Sequence, residues 1–343
     1  MTGPLQGLRF VEMAGIGPAP FAAMMLADLG ATGIRVESPH PGLGLGDPAR
    51  DITRRGRASR TIDARDPLGR ESILELIDGC EVLIEGFRPG VMERLGLGPQ
   101  AALARNPRLV YGRITGWGQD GPWSQRAGHD ITYIALAGVL AHVGRVNEPP
   151  TVPLNLVGDY GGGAMLLVTG ILAALWEAER TGQGQVVDAA MVDGAALMMS
   201  LMHSLRAAGA WSPERGVNLL DSGAPFYDVY RTADDRWLAV GCLEPKFFAE
   251  FIRILDLDPG LGPRQYDPAG WERMRSEFAS TIATRAMADW MEAFADSDAC
   301  VAPVLSMDQA PHHEHLRARG TFMEVDGLIQ PAPAPRFSRP QGL

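Results

Sequence analysis

The chain has 343 residues, 46% of them hydrophobic and 21% charged, with a formal net charge of −10. That length predicts two domains with ample buried core, and the acidic balance argues against nucleic acid as a main partner. It leaves room for a local basic pocket. Cys80, Cys242 and Cys300 are too few and too far apart for a disulfide framework or a zinc site, so a reducing cytoplasm is the expected compartment. Lys246 is the only lysine, which excludes a P-loop lysine and leaves no other side-chain amine for a Schiff base. Met1 to Leu5 shows no basic segment followed by an apolar one, so no secretory signal is expected. The longest apolar run, residues 161–176, is short and glycine-rich for a membrane span and reads as a buried helix.

The first hundred residues alternate between strand and helix. Strands are predicted at 8–12, 33–37, 81–84 and 108–114. Helices are predicted at 20–29, stopped by Gly30, and at 69–77. This pattern predicts an α/β fold whose parallel sheet is covered on both faces. Gly15-Ile16-Gly17-Pro18-Ala19-Pro20 partly resembles a dinucleotide fingerprint, but the third glycine is absent and prolines occupy the turn. A long apolar helix is expected over 163–178. A second apolar stretch, 186–202, carries Met191, Met198, Met199 and Met202, read as core filling or as an adaptable wall for acyl chains. Beyond residue 210 the character changes. Phe226–Tyr230 and Trp237–Val240 flank Ala233-Asp234-Asp235 as a hairpin, and helices follow at 244–255 and 286–294, giving a smaller α+β domain. The proline-rich tail, 332–340, is expected to lie extended on the surface.

Two short stretches carry chemistry. His129 stands between Gly128 and Asp130, away from any core pattern; a lone histidine is more often structural. Asp159 precedes Tyr160 and three glycines. An aspartate there suits a helix N-cap, yet glycines also let a ligand approach the backbone, and a helix start offers free N–H groups. Arg50, Arg54, Arg55, Arg57, Arg60, Arg65 and Arg70 crowd one segment, and Arg88 and Arg94 follow the third strand. A solvated surface is the default, and binding of a phosphate-rich ligand is the alternative. His312-His313-Glu314-His315 lacks partners at metal-ligand spacing, so no metal is expected, and no Gly-x-Ser-x-Gly elbow supports a serine hydrolase.

Three further motifs point to a family. Ile84-Glu85-Gly86-Phe87-Arg88-Pro89-Gly90-Val91, Gly116-Trp117-Gly118-Gln119-Asp120-Gly121-Pro122 and Gly182-Gln183-Gly184-Gln185-Val186-Val187-Asp188 resemble signatures of the family III coenzyme A transferases (CaiB/BaiF). The similarity runs to Ala334–Arg339. Gly128-His129-Asp130, Asn155–Asp159 and Leu243–Phe247 resemble the α-methylacyl-CoA racemase branch of that family, because transferases usually carry another residue in place of His129.

The resemblance implies an interlocked homodimer with a Rossmann-like large domain and a small α+β domain. The implied bounds are 1–187 for the large domain, 188–224 for a linker, 225–306 for the small domain and 307–343 for a segment returning to the large domain. It implies His129 and Asp159 as the acid/base pair, joined by Glu244 from the partner subunit. Thr61 and Ile62, Asp63, Ala64, Arg65, with Gly86, Phe87, Arg88, Arg94, Gly128, Asp130 and Tyr133, are the implied contacts to coenzyme A. Ser38 stands where relatives often carry arginine, which puts one such contact in doubt. No cofactor is required, since coenzyme A is part of the acyl-CoA substrate, and no membrane span is implied. The implied reaction is 1,1-proton transfer at C2 through an enolate, with the glycines at 161–163 as a helix start facing the enolate oxygen. The rival reactions are acyl transfer with Asp159 as nucleophile, coenzyme A binding without turnover, and nicotinamide-dependent oxidoreduction.

Overall fold

Short buried strands alternating with helices produce a parallel sheet in the computed structural model, which describes residues 3–40, 42, 44 and 46–338. Arg339 and Pro340 lie outside the described residues. Strands β1 (Arg9–Met13), β2 (Thr32–Glu37), β3 (Arg57–Thr61), β4 (Val82–Glu85), β5 (Val110–Thr115) and β6 (Gln185–Ala190) form one six-stranded sheet in the order β3-β2-β1-β4-β5-β6. Every neighbouring pair is parallel. The order reverses direction between β1 and β4, and in such sheets ligands bind beyond the carboxyl ends of the strands at that point.

Successive residues of the central strands face opposite layers. Phe10, Val82, Ile84 and Val110 lie in one core with α1 (Pro18–Asp28). Val11, Leu83 and Tyr111 lie in the other, with Ile73 and Ile77 of α2 (Pro67–Asp78) and, beyond α3 (Val91–Arg94), Ala102 of α4 (Pro99–Arg105). The first core also takes Leu167, Val168, Ile171 and Ala174 from a long helix that follows α5 (Asp130–Leu136).

That long helix starts earlier than its sequence suggests. Leu156–Ala164 winds as a π-helix and runs directly into α6 (Met165–Thr181). Together they make one helix of 26 residues, long and apolar enough by length and composition to cross a membrane, yet one face is buried against the sheet as described. Gly182, at φ 74°, ends α6 in the left-handed conformation. The following residues then pair with β5 as β6, so the stretch 186–202 is not one apolar segment. It divides into the end of β6, then α7 (Met191–Met198), then α8 (Ser200–Ala207). Of its methionines, Met191 is buried whereas Met198 is 44% exposed, so core filling describes only part of the set.

Gly162 and Gly194 let the π-helix and α7 cross with their backbones in contact. A β-carbon on Gly194 would lie 1.8 Å from the carbonyl oxygen of Gly162. Gly194→Ala is therefore expected to lower stability by about 1–3 kcal/mol, the range for overpacking a tight site, read as a lower urea midpoint.

The described chain divides into two units. One comprises the residues up to Val139, Pro153–Leu201 and those from Phe322 onward; the other comprises Leu140–Val152 and Met202–Thr321. These bounds differ from the sequence expectation. Leu140–Val152 groups with the second unit because the Arg215 guanidinium donates to the carbonyls of Arg145 (3.2 Å) and Ala141 (3.0 Å), and Arg145 pairs with buried Asp228 at 2.6 Å. The return begins at Phe322 rather than 307. There β10 (Phe322–Val325) and β11 (Leu328–Pro331) form a hairpin, tied to the first unit by Arg55 donating to Gln330 Oε1 (3.1 Å) and to the Pro331 carbonyl (2.8 Å).

The second unit has an antiparallel sheet of β7 (Tyr227–Arg231), β8 (Trp237–Gly241) and β9 (Val301–Pro303), in that order. The expected hairpin at 226–240 is present. α9 (Pro245–Ile254), α10 (Trp271–Ile282) and α11 (Met287–Ala293) close a core around Phe226, Phe248, Phe251, Phe278 and Trp290. α12 (Glu314–Arg319) follows.

Candidate active site

His129 is held by its backbone. It is the N-cap of α5, extended at φ −139° and ψ 168°. Its N–H donates to Thr132 Oγ1 at 3.1 Å, and that hydroxyl donates back to the His129 carbonyl at 2.7 Å. The residue itself remains exposed. Its main chain is thus fixed by Thr132.

Asp159 lies in the π-helical turn and is half-buried. Asn155 Nδ2 donates to its Oδ2 at 3.1 Å, and its own N–H donates to Asp130 Oδ2 at 2.7 Å. Gly17, in the turn between β1 and α1, faces the same carboxylate; a β-carbon there would sit 3.3 Å from Oδ2. Burial pushes the Asp159 carboxyl above the usual carboxylate range, and the neighbouring Asp130 charge adds to this. The Asn155 hydrogen bond and the charge of His129 act the other way. Asp130, the residue after His129, accepts the Asp159 N–H, so the fold brings together two stretches that the sequence places thirty positions apart. π-helical turns recur at functional sites.

Tyr133 completes the cluster. Its ring is buried, packs edge-on against Trp117 with centroids 4.7 Å apart, and lies where a β-carbon on Gly116 or Gly128 would overlap it. Its hydroxyl is pushed up to about 12, chiefly by burial and then by Asp159 and Asp130, against the influence of Arg88.

The glycines do a different job from the one the sequence suggested. Gly161, Gly162 and Gly163 lie inside the π-helix, not at its start. Their part is close packing, as Gly162 shows against α7, and they are not a set of free N–H donors. Free donors are found instead at the start of α5. There the N–H groups of Thr132 and Tyr133 turn back to the His129 carbonyl, while those of Asp130 and Ile131 precede the first helical bond.

The residues expected to hold coenzyme A collect at the carboxyl ends of the strands of this unit. Ile62 to Arg65 follow β3, Gly86 to Arg88 follow β4, Arg94 ends α3 and Gly128 precedes α5. Arg65, Arg88 and Arg94 are exposed, and Asp63 Oδ1 accepts the Arg65 N–H at 3.0 Å. Ile62, Ala64 and Phe87 are partly buried and pack against the second core. Asp130 turns its carboxylate to the Asp159 amide rather than outward. Of the arginine-rich segment, Arg54, Arg55 and Arg57 pair with Glu37, Asp28 and Glu12. They are structural and leave Arg50, Arg60, Arg65 and Arg70 exposed.

Glu244 belongs to the second unit, where it is the exposed N-cap of α9 and makes no side-chain capping bond. No group of three or more His, Cys, Asp or Glu stands ready to hold a metal among the described residues. The sequence reading missed the contribution of Asn155 to Asp159. Its signal was present, since residues four apart share a helix face, but the helix was placed too late to use it.

A parallel sheet in this order, with Asp159 and the turn that carries His129 beside one another and exposed arginines beyond its strand ends, defines a doubly wound α/β protein. A sequence profile of CoA-transferase family III matches residues 5–340, and the chain belongs to that family. It is 44% identical over 337 residues to an alpha-methylacyl-CoA racemase of Mus musculus, covering 98% of this chain and 87% of that protein. It is 42% identical over 334 residues to the Homo sapiens protein of the same name, covering 96% and 86%. A crystal structure of a CAIB/BAIF family protein from Brucella suis superposes with a TM-score of 0.83 at 25% identity, covering 99% of this chain and 94% of that one.

Proposed function

We propose that the protein is an α-methylacyl-CoA racemase, an isomerase that interconverts the (2R) and (2S) forms of 2-methylacyl-CoA thioesters by 1,1-proton transfer through an enolate. The observation that carries this reading is the meeting of Asp159, basic for a carboxylate, with an exposed His129 whose charge reaches it. The two relatives of that name cover almost the whole chain.

In one direction the Asp159 carboxylate removes the C2 proton and the His129 imidazolium returns one to the other face; in the other direction the roles reverse. Burial that raises Asp159 brings its basicity nearer to that of an imidazole, so each group can act as acid or as base. General acid–base catalysis contributes about 10²–10⁴-fold, too little for a thioester α-proton. The enolate oxygen therefore needs donors. The N–H groups of Asp130 and Ile131 are the candidates, since loss of one such donor typically costs about 3–4 kcal/mol. Arg65, Arg88 and Arg94 would take the phosphates of coenzyme A by paired hydrogen bonds.

The same reading includes an interlocked homodimer in which Glu244 of the partner subunit orients His129. The unused side chain of Glu244 at the start of α9 supports this. The thioester itself is the only carrier of coenzyme A, with no further cofactor. Three free thiols, two of them buried, support a reducing, cytoplasmic location.

The test uses a single C2 epimer of a 2-methylacyl-CoA in D₂O. Loss of stereochemical purity with deuterium at C2 is the expected result. Absence of deuterium across several chain lengths, with coenzyme A exchange between two acids and a covalent Asp159 adduct, would instead establish acyl transfer.

A further inference from the structure

We propose that Asp130 is a positioning residue that sets the Asp159 carboxylate opposite His129, a role that rests on the racemase reading above. Three observations place it there. Asp130 directly follows His129, so its main chain is continuous with one member of the pair. Its side chain, 4% exposed, accepts the backbone N–H of the other member at 2.7 Å. Gly158 supplies the room, since a β-carbon there would lie 2.8 Å from Asp130 Oδ2. One residue thus ties the backbone of α5 to the backbone of the π-helical turn. A charge-assisted bond to an amide at a helix start is strong for its kind. It fixes the direction in which the Asp159 side chain leaves the main chain.

The same carboxylate acts on Asp159 through its charge, raising it alongside burial. The charged groups facing Asp159 are few. Asp130 and His129 act from α5, and Arg88 acts on neighbouring Tyr133. Asp28 of α1 is paired with Arg55, and Asp193 of α7 acts on Asp188. Asp130 Oδ1 is buried without a hydrogen-bond partner, so the Asp159 amide is the one bond this side chain makes.

Two variants of the full-length protein test the proposal. Asp130→Asn keeps an acceptor for the Asp159 amide and removes the charge; Asp130→Ala removes both. With 2-methylacyl-CoA in D₂O, Asp130→Ala is expected to lower kcat on the order of 10²-fold, the cost of misplacing a reacting group. KM should stay within about 2-fold, because no ground-state contact is lost. In Asp130→Asn the acid limb of kcat/KM, in the direction that uses Asp159 as base, should move to lower pH. A titration of ¹³C-carboxyl-labelled aspartate, with Asp159 assigned by Asp159→Asn, should show the same downward move without any substrate. A rise in KM with kcat unchanged would assign Asp130 to coenzyme A contact and overturn the proposal. So would an unmoved Asp159 titration. If the wild type fails to racemise while the Asp159 titration still moves, the reaction is misassigned and the link between Asp130 and Asp159 stands.

Discussion

His129→Ala is expected to lower racemisation severely while leaving one epimer able to exchange its C2 proton with solvent, and Asp159→Ala should do the same for the opposite epimer. The expectation follows from two different groups serving two faces of one carbon. Each variant keeps one base, and that base still reaches one face. Without the second group no proton returns to the other side, so configuration is retained during exchange. Turnover between epimers should fall by about 10²–10⁴-fold in each variant, the usual contribution of a positioned acid or base. Deuterium at C2, measured by mass spectrometry for each pure epimer, reads the residual exchange, and chiral separation reads racemisation. Loss of exchange from the same epimer in both variants would mean that His129 and Asp159 act in series on one face. Both substitutions should leave the fold intact. His129 is exposed and Asp159 half-buried, and the bonds that hold their backbones, from Thr132 and Asp130, do not use the substituted side chains.

Much of the framework was legible in the sequence because parallel strands announce themselves. Phe10-Val11 and Val82-Leu83-Ile84 are continuous apolar runs flanked by helices, as strands buried on both faces must be. The edge strand β3 was not, because Arg-Ala-Ser-Arg-Thr has little hydrophobic content and is largely exposed. The π-helix was hidden for a different reason. Leu156–Ala164 contains four glycines, and low intrinsic helix propensity placed the helix start after them. Packing against α7 outweighs that propensity, since small residues allow close backbone contact. His129 and Asp159 could be picked out because each stands beside glycine away from a hydrophobic period. The partner of the Asp130 carboxylate was not legible, because nothing local shows that it is an amide twenty-nine residues on.

The arginine-rich segment shows the same limit, and it carries the largest expected effect on stability. Glu12 is fully buried near the carboxyl end of β1. Arg57 Nε donates to its Oε2 at 2.7 Å, and Arg35 pairs with Oε1. Arg57 has no exposed side-chain surface, and Arg35 is 8% exposed. A sequence reading could not pair Arg57 with an acid forty-five positions earlier, so solvent or phosphate seemed the natural partners. Removing one member of a buried pair leaves the other charge without compensation, which typically costs about 3–5 kcal/mol. Glu12→Ala leaves Arg57 in that state, whereas Arg35 keeps Glu37 at 3.3 Å, and it is expected to fall in this range. A urea transition of the full-length protein should show a lower midpoint with an unchanged slope. A loss below about 1 kcal/mol, the scale of an exposed pair, would show that water enters this network freely. The effect should also reach the site. Arg35 Nη2 donates to the Gly15 carbonyl at 3.1 Å, in the turn that carries Gly17 against the Asp159 carboxylate. At temperatures where Glu12→Ala remains folded, its kcat should therefore fall along with its stability. Glu12→Gln, which keeps an acceptor for Arg35, should recover part of that kcat while remaining less stable than the wild type.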